Sequence, residues 1–558
     1  MPVIIIIVTI IIGLGIRGVF LERKKRLALY DSLLKDFGKD RNRDYPHGKK
    51  HRAAVLNRSG ACSKGVDEIT WSDLDLERVF ERIDKTKSAV GEEYLYYILH
   101  NTGYVLEDKE FSELVGFLSE DEKTRTELLI SLCRIGYVKK YSPFDYTDNL
   151  TTRKKHNPIG HIILDVLYIP FIALIFFKPV PGAVLLFLLI LVSIFIYFKD
   201  KRALDGVVES LGFLIRLSNE ALKLEKKDIS YLKAEREKIK ALSGVLYSIK
   251  SGGGYLVASG RSGQSMSSGP AEVLLTYFNM LFSFDLIQFD LLTRKLSGKK
   301  KELEDMLLLF GRLDAAISVA DFRKSLEGDW TEPDFSDNKG SFLLIREGYH
   351  PLVRDCVRNT VDTDKCILLT GSNASGKSTF LRMAAINAIL AQTVYTVCAK
   401  EYSAPVYNIY SSIALKDDLL GKESFFLVEI RSLKRVIDAL SGDRPVLCFI
   451  DEVLRVTNTI ERISASCTIL KYLKEHNALC FAATHDGELA ELLNDVYRNM
   501  HFSETVSGKD VSFDYRIKDG IASSRNAIKL LEMYGYPEEI FRGAGELALS
   551  KLTAVLDT

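Results

Sequence analysis

Two groups of residues in the C-terminal half of the chain have the types and spacing needed to handle phosphate. The first is GSNASGKST, residues 371–379, which contains the pattern G-x-x-x-x-G-K-[ST]. Glycines in this pattern let backbone N–H groups wrap phosphates, the lysine contacts phosphate oxygens, and the hydroxyl binds Mg²⁺. We therefore predict a nucleotide site composed of Gly371, Ser372, Asn373, Ala374, Ser375, Gly376, Lys377, Ser378 and Thr379.

The second group is a pair of acids, Asp451 and Glu452, which directly follows the apolar run 446–450. Next to a phosphate loop, the first acid binds Mg²⁺ through water and the second positions the attacking water. The alternative is a strand that ends in two solvated acids. A third apolar run, 478–483, ends in Thr484 and His485, which are placed to sense a γ-phosphate, although a histidine there is also typical of a plain surface position.

These side chains need strands and a helix to hold them. The apolar run 366–369 predicts a buried strand in front of the glycine-rich loop. From Thr379 onward, apolar residues recur at helical spacing, at positions 380, 381, 384 and 385. We therefore predict a helix whose N-terminus faces the phosphates, because that end of a helix attracts anions.

Three apolar runs predict membrane-spanning helices. Residues 3–16 are followed by Arg17 and the basic residues 23–26, which is the pattern of an uncleaved anchor. Residues 159–177 and 183–198 form a pair joined by KPVPG and flanked on both outer sides by basic residues. The flanks predict cytoplasmic outer ends, with a buried core hairpin as the alternative. Asp165, within the first arm, fits either an ion path or an acid tolerated near an interface.

The composition suits a globular chain of three or four domains with membrane segments. The chain has 558 residues, of which 27% are charged and 47% hydrophobic. Its net charge of +1 neither indicates nor excludes a nucleic-acid partner. The eight cysteines form no C-x-x-C pair, which indicates a reducing compartment and no zinc site.

Helical patterns fill the region between the first anchor and the nucleotide site. A capping box at Ser72 and Asp75 opens a helix with Leu76, Val79, Phe80 and Ile83 on one face. A long, charge-rich helical pattern covers 203–249 directly after the second arm, and a flexible glycine–serine stretch follows at 251–269. Helices resume over about 271–325, and GDWTEPDFSD, residues 328–337, marks the boundary to the last domain.

Residues 345–551 resemble the ATPase domain of the MutS family of DNA mismatch-repair proteins. Six elements match in order: YHPLV at 349, LLTGSNASGKSTFLR at 368, DDLLGKESFFLVEI at 417, FIDEV at 449, ATHDGEL at 483 and YRIKDGIASSRNAIKLLEMYGYPEEI at 515. A segment from Trp71 to residue 95 is similar to the start of that family's helical core domain. The resemblance implies an α/β P-loop NTPase domain of the ABC/MutS type, C-terminal to an α-helical core or lever domain, with ATP and Mg²⁺ as cofactors.

The resemblance also implies roles for single residues. Ser424 matches the position that reaches across a dimer to the γ-phosphate of the partner's nucleotide. His485 matches the switch histidine, and His350 with Pro351 matches the loop near the nucleotide base. The expected catalytic residues are Glu452 and His485, and the expected metal ligands are Ser378 and Asp451. The implied enzyme is a homodimer through its ATPase domain, closed by ATP.

Several departures from the family pattern bear on function. Leu454 and Val456 stand where the family has small residues after the two acids, so hydrolysis or subunit coupling is expected to differ. We expect no mismatch-reading domain before Trp71, and the stretch 251–269 is too short for the family's DNA clamp. The basic stretch 41–52 suits either DNA phosphates or anionic lipid head groups.

The predicted order is an N-terminal transmembrane anchor (1–20), a basic juxtamembrane linker (21–60), a helical core-like segment (61–152), a transmembrane hairpin (153–202), a helical lever or core segment (203–330) and a MutS-type ATPase domain (331–558). The leading hypothesis is a multi-pass cell-membrane ATPase with cytoplasmic soluble domains that binds mismatched or branched double-stranded DNA. The alternative is an ATP switch that signals to an unknown membrane protein partner without DNA. A transport ATPase ranks last because no LSGGQ-type signature occurs.

Overall fold

A computed structural model describes residues 17, 20–21, 23–39, 52–59, 65–138, 142–152, 158–202, 205–251, 277–335, 340–372, 375–413, 425–454, 458–507, 510–522, 531 and 534–556. The chain divides into two compact units. The first unit contains Met1–Arg58, Asp84–Tyr97 and Glu113–Ser325, and the second contains Ser59–Ile83, Ile98–Ser112 and Leu326–Thr558. Two parts of the segment predicted as 61–152 therefore belong with the C-terminal domain.

Helices dominate the described chain up to residue 325. In chain order they are α1 (23–36), α2 (Ala54–Ser59), α3 (Glu68–Asp73), α4 (Leu76–Ile83), α5 (Ala89–His100), α6 (Tyr104–Glu107), α7 (Phe111–Glu120), α8 (Glu122–Ile135), α9 (Pro143–Thr152), α10 (Ile159–Phe177), α11 (Pro179–Arg202), α12 (Asp205–Glu225), a 3₁₀ turn (Ser230–Leu232), α13 (Lys233–Ala241), α14 (243–251), α15 (277–282), α16 (Phe284–Leu296) and α17 (Lys300–Ser325).

Strands and helices alternate after residue 334. The strands are β1 (Asp334–Phe335), β2 (Leu343–Gly348), β3 (Asn359–Thr363), β4 (Ile367–Thr370), β5 (Glu401–Ala404), β6 (Asn408–Ser412), β7 (Val446–Asp451), β8 (Ala478–Ala483), β9 (Arg498–Ser507) and β10 (Asp510–Asp519). The helices are α18 (Lys377–Val394), α19 (Phe425–Ala439), α20 (Thr459–Glu475), α21 (Gly487–Leu492) and α22 (Glu538–Leu556).

The second unit contains two sheets. The larger has the strand order β10-β9-β4-β8-β7-β6, and all its pairs are parallel except β9 with β10. The smaller has the order β1-β5-β2-β3. Every residue of β4, β7 and β8 is buried, which explains why these strands are continuous apolar runs. The three predicted strands at 366–369, 446–450 and 478–483 are confirmed.

Helix α3 packs on the edge strand β6 within the second unit. Its N-cap is Asp67, whose side chain accepts a hydrogen bond from Thr70 N. Asp73 Oδ2 accepts from Ser411 Oγ at 3.0 Å and from Ile413 N at 2.8 Å. The predicted capping box at Ser72 is wrong, because Ser72 lies inside α3 and the helix with the predicted apolar face, α4, begins only at Leu76. The predicted apolar face of α4 is confirmed, since residues 76, 79, 80 and 83 are all buried.

Helix α17 supplies much of the core of the first unit. Its fully buried Asp314 accepts hydrogen bonds from Lys87 N at 3.0 Å and from Ser88 N and Ser88 Oγ at 2.8 and 2.5 Å. These bonds satisfy backbone donors just before α5. Burial raises the pKa of the Asp314 carboxyl to about 7 despite these bonds.

Helices α10 and α11 form a hairpin that is long and apolar enough to cross a membrane. Only 11% and 22% of their apolar windows are buried, so the alternative of a core hairpin finds no support in the packing. The helices approach closely at Gly182, where a Cβ atom would lie 2.7 Å from Ile175 N. The second arm begins at Pro179, four residues before the predicted start at 183.

Other predictions for the first unit differ from the structure. The helical pattern at 203–249 is not one continuous lever, because α12 ends at Glu225 and α13 begins only at Lys233. The predicted N-terminal span, 3–16, lies outside the described residues. Of the basic stretch 41–52, the structure describes only Arg52, which is buried and pairs with Glu92 at 2.6 Å.

Candidate functional site

The glycine-rich loop connects β4, a central strand of the larger sheet, to α18. Gly376 has φ 106° and ψ 5°, a left-handed conformation that a residue with a Cβ atom adopts only under strain. Tyr515 also lies 3.1 Å from where that Cβ would be. The backbone conformation and the close approach of the Tyr515 ring both favour glycine at 376. The loop residues Asn373 and Ala374 lie outside the described part of the chain.

Lys377 points back into its own loop. Its Nζ donates to Gly371 O at 2.6 Å and to Ser372 O at 2.9 Å, and the residue is 2% exposed. Burial lowers the pKa of the Lys377 ammonium to about 8, against the opposing effect of nearby carboxylates. The ammonium is thus a buried cation that donates to neutral carbonyl oxygens and is ready to pair with an anion.

Ser378 and Asp451 meet at the carboxyl ends of the sheet. Ser378 Oγ donates to Asp451 Oδ2 at 2.5 Å, although the residues are 73 positions apart in sequence. The contact arises because β4 and β7 both border β8 and run parallel, which brings the ends of the three strands to one edge. The pair offers hydroxyl and carboxylate oxygens, the ligand types that Mg²⁺ prefers.

Glu452 and His485 form a second pair at the same edge. His485 Nε2 lies 2.6 Å from Glu452 Oε1 and 3.5 Å from Lys377 Nζ. Glu452 N donates to Ala483 O at 2.9 Å, which fixes the backbone after β7 against the end of β8. The structure therefore brings five predicted site residues together at this edge: Lys377, Ser378, Asp451, Glu452 and His485.

The backbone after Asp451 is in a conformation that favours glycine. Glu452 has φ 62° and Leu454 has φ 59°. Non-glycine residues hold such angles at a cost of about 1–2 kcal/mol each. Leu454 is 7% exposed and packs in the core of the larger sheet, so its buried side chain offsets part of this cost. Val456, the other departure from the family pattern, lies outside the described residues.

A cavity of about 340 Å³ lies beside the glycine-rich loop. It shares Gly376 and Thr379 with the loop, and Tyr515 from β10 contributes an aromatic wall. The remaining lining residues are Val353, Arg354, Asp355, Cys356, Val357, Asn359, Phe380, Met383 and Phe502. The cavity is mainly apolar, as sites for a flat ring commonly are.

His350 does not line this cavity but supports its wall. It is 6% exposed, and its Nδ1 accepts a hydrogen bond from Leu352 N at 3.2 Å. Burial, with a smaller contribution from Arg382, lowers the pKa of His350 to about 4, so the ring is neutral at pH 7 and can accept this bond. The bond to Leu352 N positions the turn that leads to residues 353–357, and the role of His350 near a nucleotide base stays a prediction.

Glu504 and Tyr515 belong to the site but are not among the predicted site residues, although Tyr515 begins the last of the six elements that resemble the MutS family. Glu504 Oε2 accepts from Ser372 Oγ at 2.6 Å and so restrains the glycine-rich loop. Asn359 Nδ2 donates to Tyr515 O at 3.0 Å, which joins β3 to the aromatic wall. Ser424 lies outside the described residues, so its predicted reach across a dimer stays a prediction.

The part of the chain that forms this site is similar to known proteins. The family profile of MutS domain V matches residues 367–552. DNA mismatch repair protein MutS of Pseudothermotoga lettingae is 31% identical over 270 residues, which are 46% of this chain and 33% of that protein. Residues 367–552 carry a MutS domain V. MutS of Thermus thermophilus is likewise 31% identical over 267 residues, 47% of this chain and 32% of its own length.

The MutS relationship covers the C-terminal part of the chain. MutS of Persephonella marina is 31% identical over 248 residues, which are 42% of this chain and 28% of that protein. The chain therefore spans about a third of the length of the curated relatives it matches. MutS domain V is an α/β P-loop ATPase domain, in agreement with the larger sheet and its glycine-rich loop.

Proposed function

We propose that the protein is a membrane-anchored ATPase of the MutS family that binds and hydrolyses Mg-ATP, closes as a dimer around ATP and binds mismatched or branched DNA. The observation that carries the ATPase part is the convergence of Lys377, Ser378, Asp451 and Glu452 at the carboxyl edge of the sheet. Such an edge is where ligands bind in open α/β sheets.

The arrangement supports ATP as the substrate. The Lys377 ammonium would pair with the phosphate oxygens, and the loop residues 371–376 would surround them with backbone N–H groups. The neighbouring cavity has a suitable lining for the adenine ring, which would lie against Tyr515. Glu452 would accept a proton from the attacking water or orient it, and His485 would hold the Glu452 carboxylate through their 2.6 Å contact.

The residues present also fit Mg²⁺. Ser378 Oγ and Asp451 Oδ2, 2.5 Å apart and next to the phosphate loop, would hold the ion directly or through water. When bound, Mg²⁺ neutralises charge on the phosphates during transfer. The hydrogen bond between Ser378 and Asp451 keeps both oxygens in place.

ATP binding is tested with two lysine variants of the full chain. Lys377→Ala removes the buried ammonium and should cost most of the affinity, because charge-assisted bonds are the strong ones. Lys365→Ala, an exposed lysine just before β4, is the matched control and should bind as the wild type does. Equal ATP affinity in Lys377→Ala and the control would reject the site.

The membrane part of the proposal is supported by the two exposed apolar helices α10 and α11. Each spans at least the 28 Å or so expected of 19 helical residues, close to the thickness of the hydrocarbon core. The positively charged flanks favour a hairpin whose ends both face the cytoplasm, where ATP and DNA are available. Extraction of the protein from membranes by carbonate at high pH would contradict it.

DNA binding and dimer closure are proposed from the MutS relationship and have a joint test. Glu452→Gln should keep ATP bound, so the full chain in detergent is expected to dimerise with ATP and to bind a four-way junction more tightly than linear duplex. Ser424→Ala in the same background should prevent dimerisation if Ser424 reaches the partner's γ-phosphate. Affinity should fall steeply with salt, because phosphate contacts release counterions. Failure to bind either DNA at low salt would leave a MutS-type ATPase without a DNA function.

A further inference from the structure

Beyond the hairpin, the first unit carries an exposed aromatic surface on α15 and the start of α16. Tyr277, Phe278 and Phe284 are 62%, 46% and 37% exposed. No charged residue occurs between Glu272 and Asp285 in the sequence. Large apolar side chains grouped in this way mark a surface that something else covers.

The position of this surface relative to the hairpin indicates what covers it. The ring of Phe282, in α15, lies 5.4 Å from the ring of Tyr168 in α10. Tyr168 is nine residues into the 19-residue helix α10, about 14 Å from its start. The aromatic segment therefore lies beside the middle of the apolar helix and not beside its polar end.

The next residues along the chain lead to the polar end of the hairpin. Asp285 Oδ2 accepts from Tyr197 Oη at 3.0 Å and lies 3.7 Å from Lys201 Nζ. Lys201 is the last residue of the apolar span Pro179–Lys201, where the hairpin meets its basic flank. From Asp285 back to Phe282, the chain thus leads from the end of the hairpin towards its middle.

The backbone at the junction of α15 and α16 suits an apolar environment. Ser283 has φ 46° and separates the two helices. Its N–H donates to Asn279 O at 2.8 Å, and its carbonyl accepts from Ile287 N at 3.0 Å. Backbone groups in hydrocarbon must be satisfied within the protein, and both backbone groups of Ser283 meet that requirement.

We propose that residues 277–284 form a further membrane-inserted element, which enters the hydrocarbon beside the hairpin and presents Tyr277, Phe278 and Phe284 to lipid acyl chains. The inference rests on the proposed membrane insertion of α10 and α11. It adds to the hairpin a membrane attachment from a segment too short to be recognised as a span. Because α16 and α17 follow directly, this element joins the helical core of the first unit to the bilayer at a second place in the chain.

The test places a photoreactive aromatic residue, p-benzoylphenylalanine, at single positions in the full chain. Phe278 and Tyr277 are the test positions, and Ile169, 69% exposed on α10, is the control for the hairpin. Tyr247, 47% exposed on α14, is the matched aromatic outside the apolar surface. Each protein is reconstituted into phosphatidylcholine–phosphatidylglycerol vesicles with deuterated acyl chains, irradiated, and analysed for lipid adducts by mass spectrometry.

We expect lipid adducts at Phe278, Tyr277 and Ile169, each at least tenfold above the Tyr247 background. Adducts at Ile169 without adducts at either test position would overturn the inference and leave the hairpin in the membrane. A crosslink from Phe278 to protein without lipid would also overturn it, because another polypeptide segment would then cover the surface. Absence of adducts at Ile169 would reject the membrane proposal itself, and this inference with it.

Discussion

Nucleotide binding should depend on pH through the charge of Lys377. Burial holds the pKa of the free ammonium at about 8, so about nine-tenths of the protein carries the charge at pH 7 and about one-tenth at pH 9. Only the charged form pairs strongly with phosphate oxygens. The affinity for ATP is therefore highest below pH 7 and falls as the pH rises through 8.

The expected loss of ATP affinity is about tenfold between pH 7 and pH 9, with Mg²⁺ saturating at both. The terminal phosphate changes little in this range, because its second pKa is about 6. Calorimetric titration at pH 9 in two buffers of different ionisation enthalpy should show uptake of about 0.9 proton per ATP bound. The proton is taken up by the Lys377 amine, which is mostly neutral at pH 9 and becomes charged when phosphate oxygens bind to it.

Two variants isolate the lysine. Lys377→Arg carries a guanidinium that stays charged from pH 7 to pH 9. The ATP affinity of this variant should therefore be the same at both pH values. Lys365→Ala should lose ATP affinity between pH 7 and pH 9 by the same factor as the wild type. Two results would refute the idea that the charge of Lys377 controls binding. One is a wild-type ATP affinity that does not change with pH, and the other is a Lys377→Arg affinity that falls with pH as much as the wild-type affinity does.

Three further outcomes are expected. Glu452→Gln should reduce single-turnover ATP hydrolysis about 10²–10⁴-fold with ATP affinity nearly unchanged, and an equal loss of binding would argue against a role in hydrolysis. Asp73→Ala should lower the stability around β6 by about 2–4 kcal/mol in hydrogen exchange, because two buried donors lose their acceptor, whereas the exposed Asp75→Ala should change little. A cysteine at Val180 should react with an impermeant thiol reagent on intact cells while one at Ile460 does not, and the reverse pattern would invert the topology.

The parts of the site that the sequence predicts are those made by contiguous residues. The glycine-rich loop and the acids after β7 are each specified by a short pattern, and the flanking apolar runs identify the strands. Their meeting point follows from parallel strand order, which brings Ser378 to Asp451. The cavity wall could not be predicted, because Tyr515 and the turn 353–357 are joined only by tertiary packing.

Short sequence patterns did not predict where two of the helices begin and end. The stretch from Ser72 has the spacing of a capping box, yet Asp67 caps α3 because its side chain reaches Thr70 N. Similarly, the end of α12 at Glu225 is followed by charged residues that fit a continuing helix. Asp228 instead pairs with Arg236 at 3.0 Å, across the bend between α12 and α13. No glycine or proline marks this bend, so the sequence gives no sign of it.

The second unit is assembled from segments that are far apart in the sequence, and this affects how it folds during synthesis. Helix α3 is made early, but its partner β6 lies more than 300 residues later in the chain. At translation rates of 5–20 residues per second, α3 would remain without that partner for about 15–70 s. During this interval the ribosome also makes the apolar hairpin of α10 and α11, which enters the membrane according to the proposed function. The larger sheet thus completes its edge late, through a contact of high sequence separation, and folding of this unit is expected to be slow and to end only after the hairpin has been synthesised.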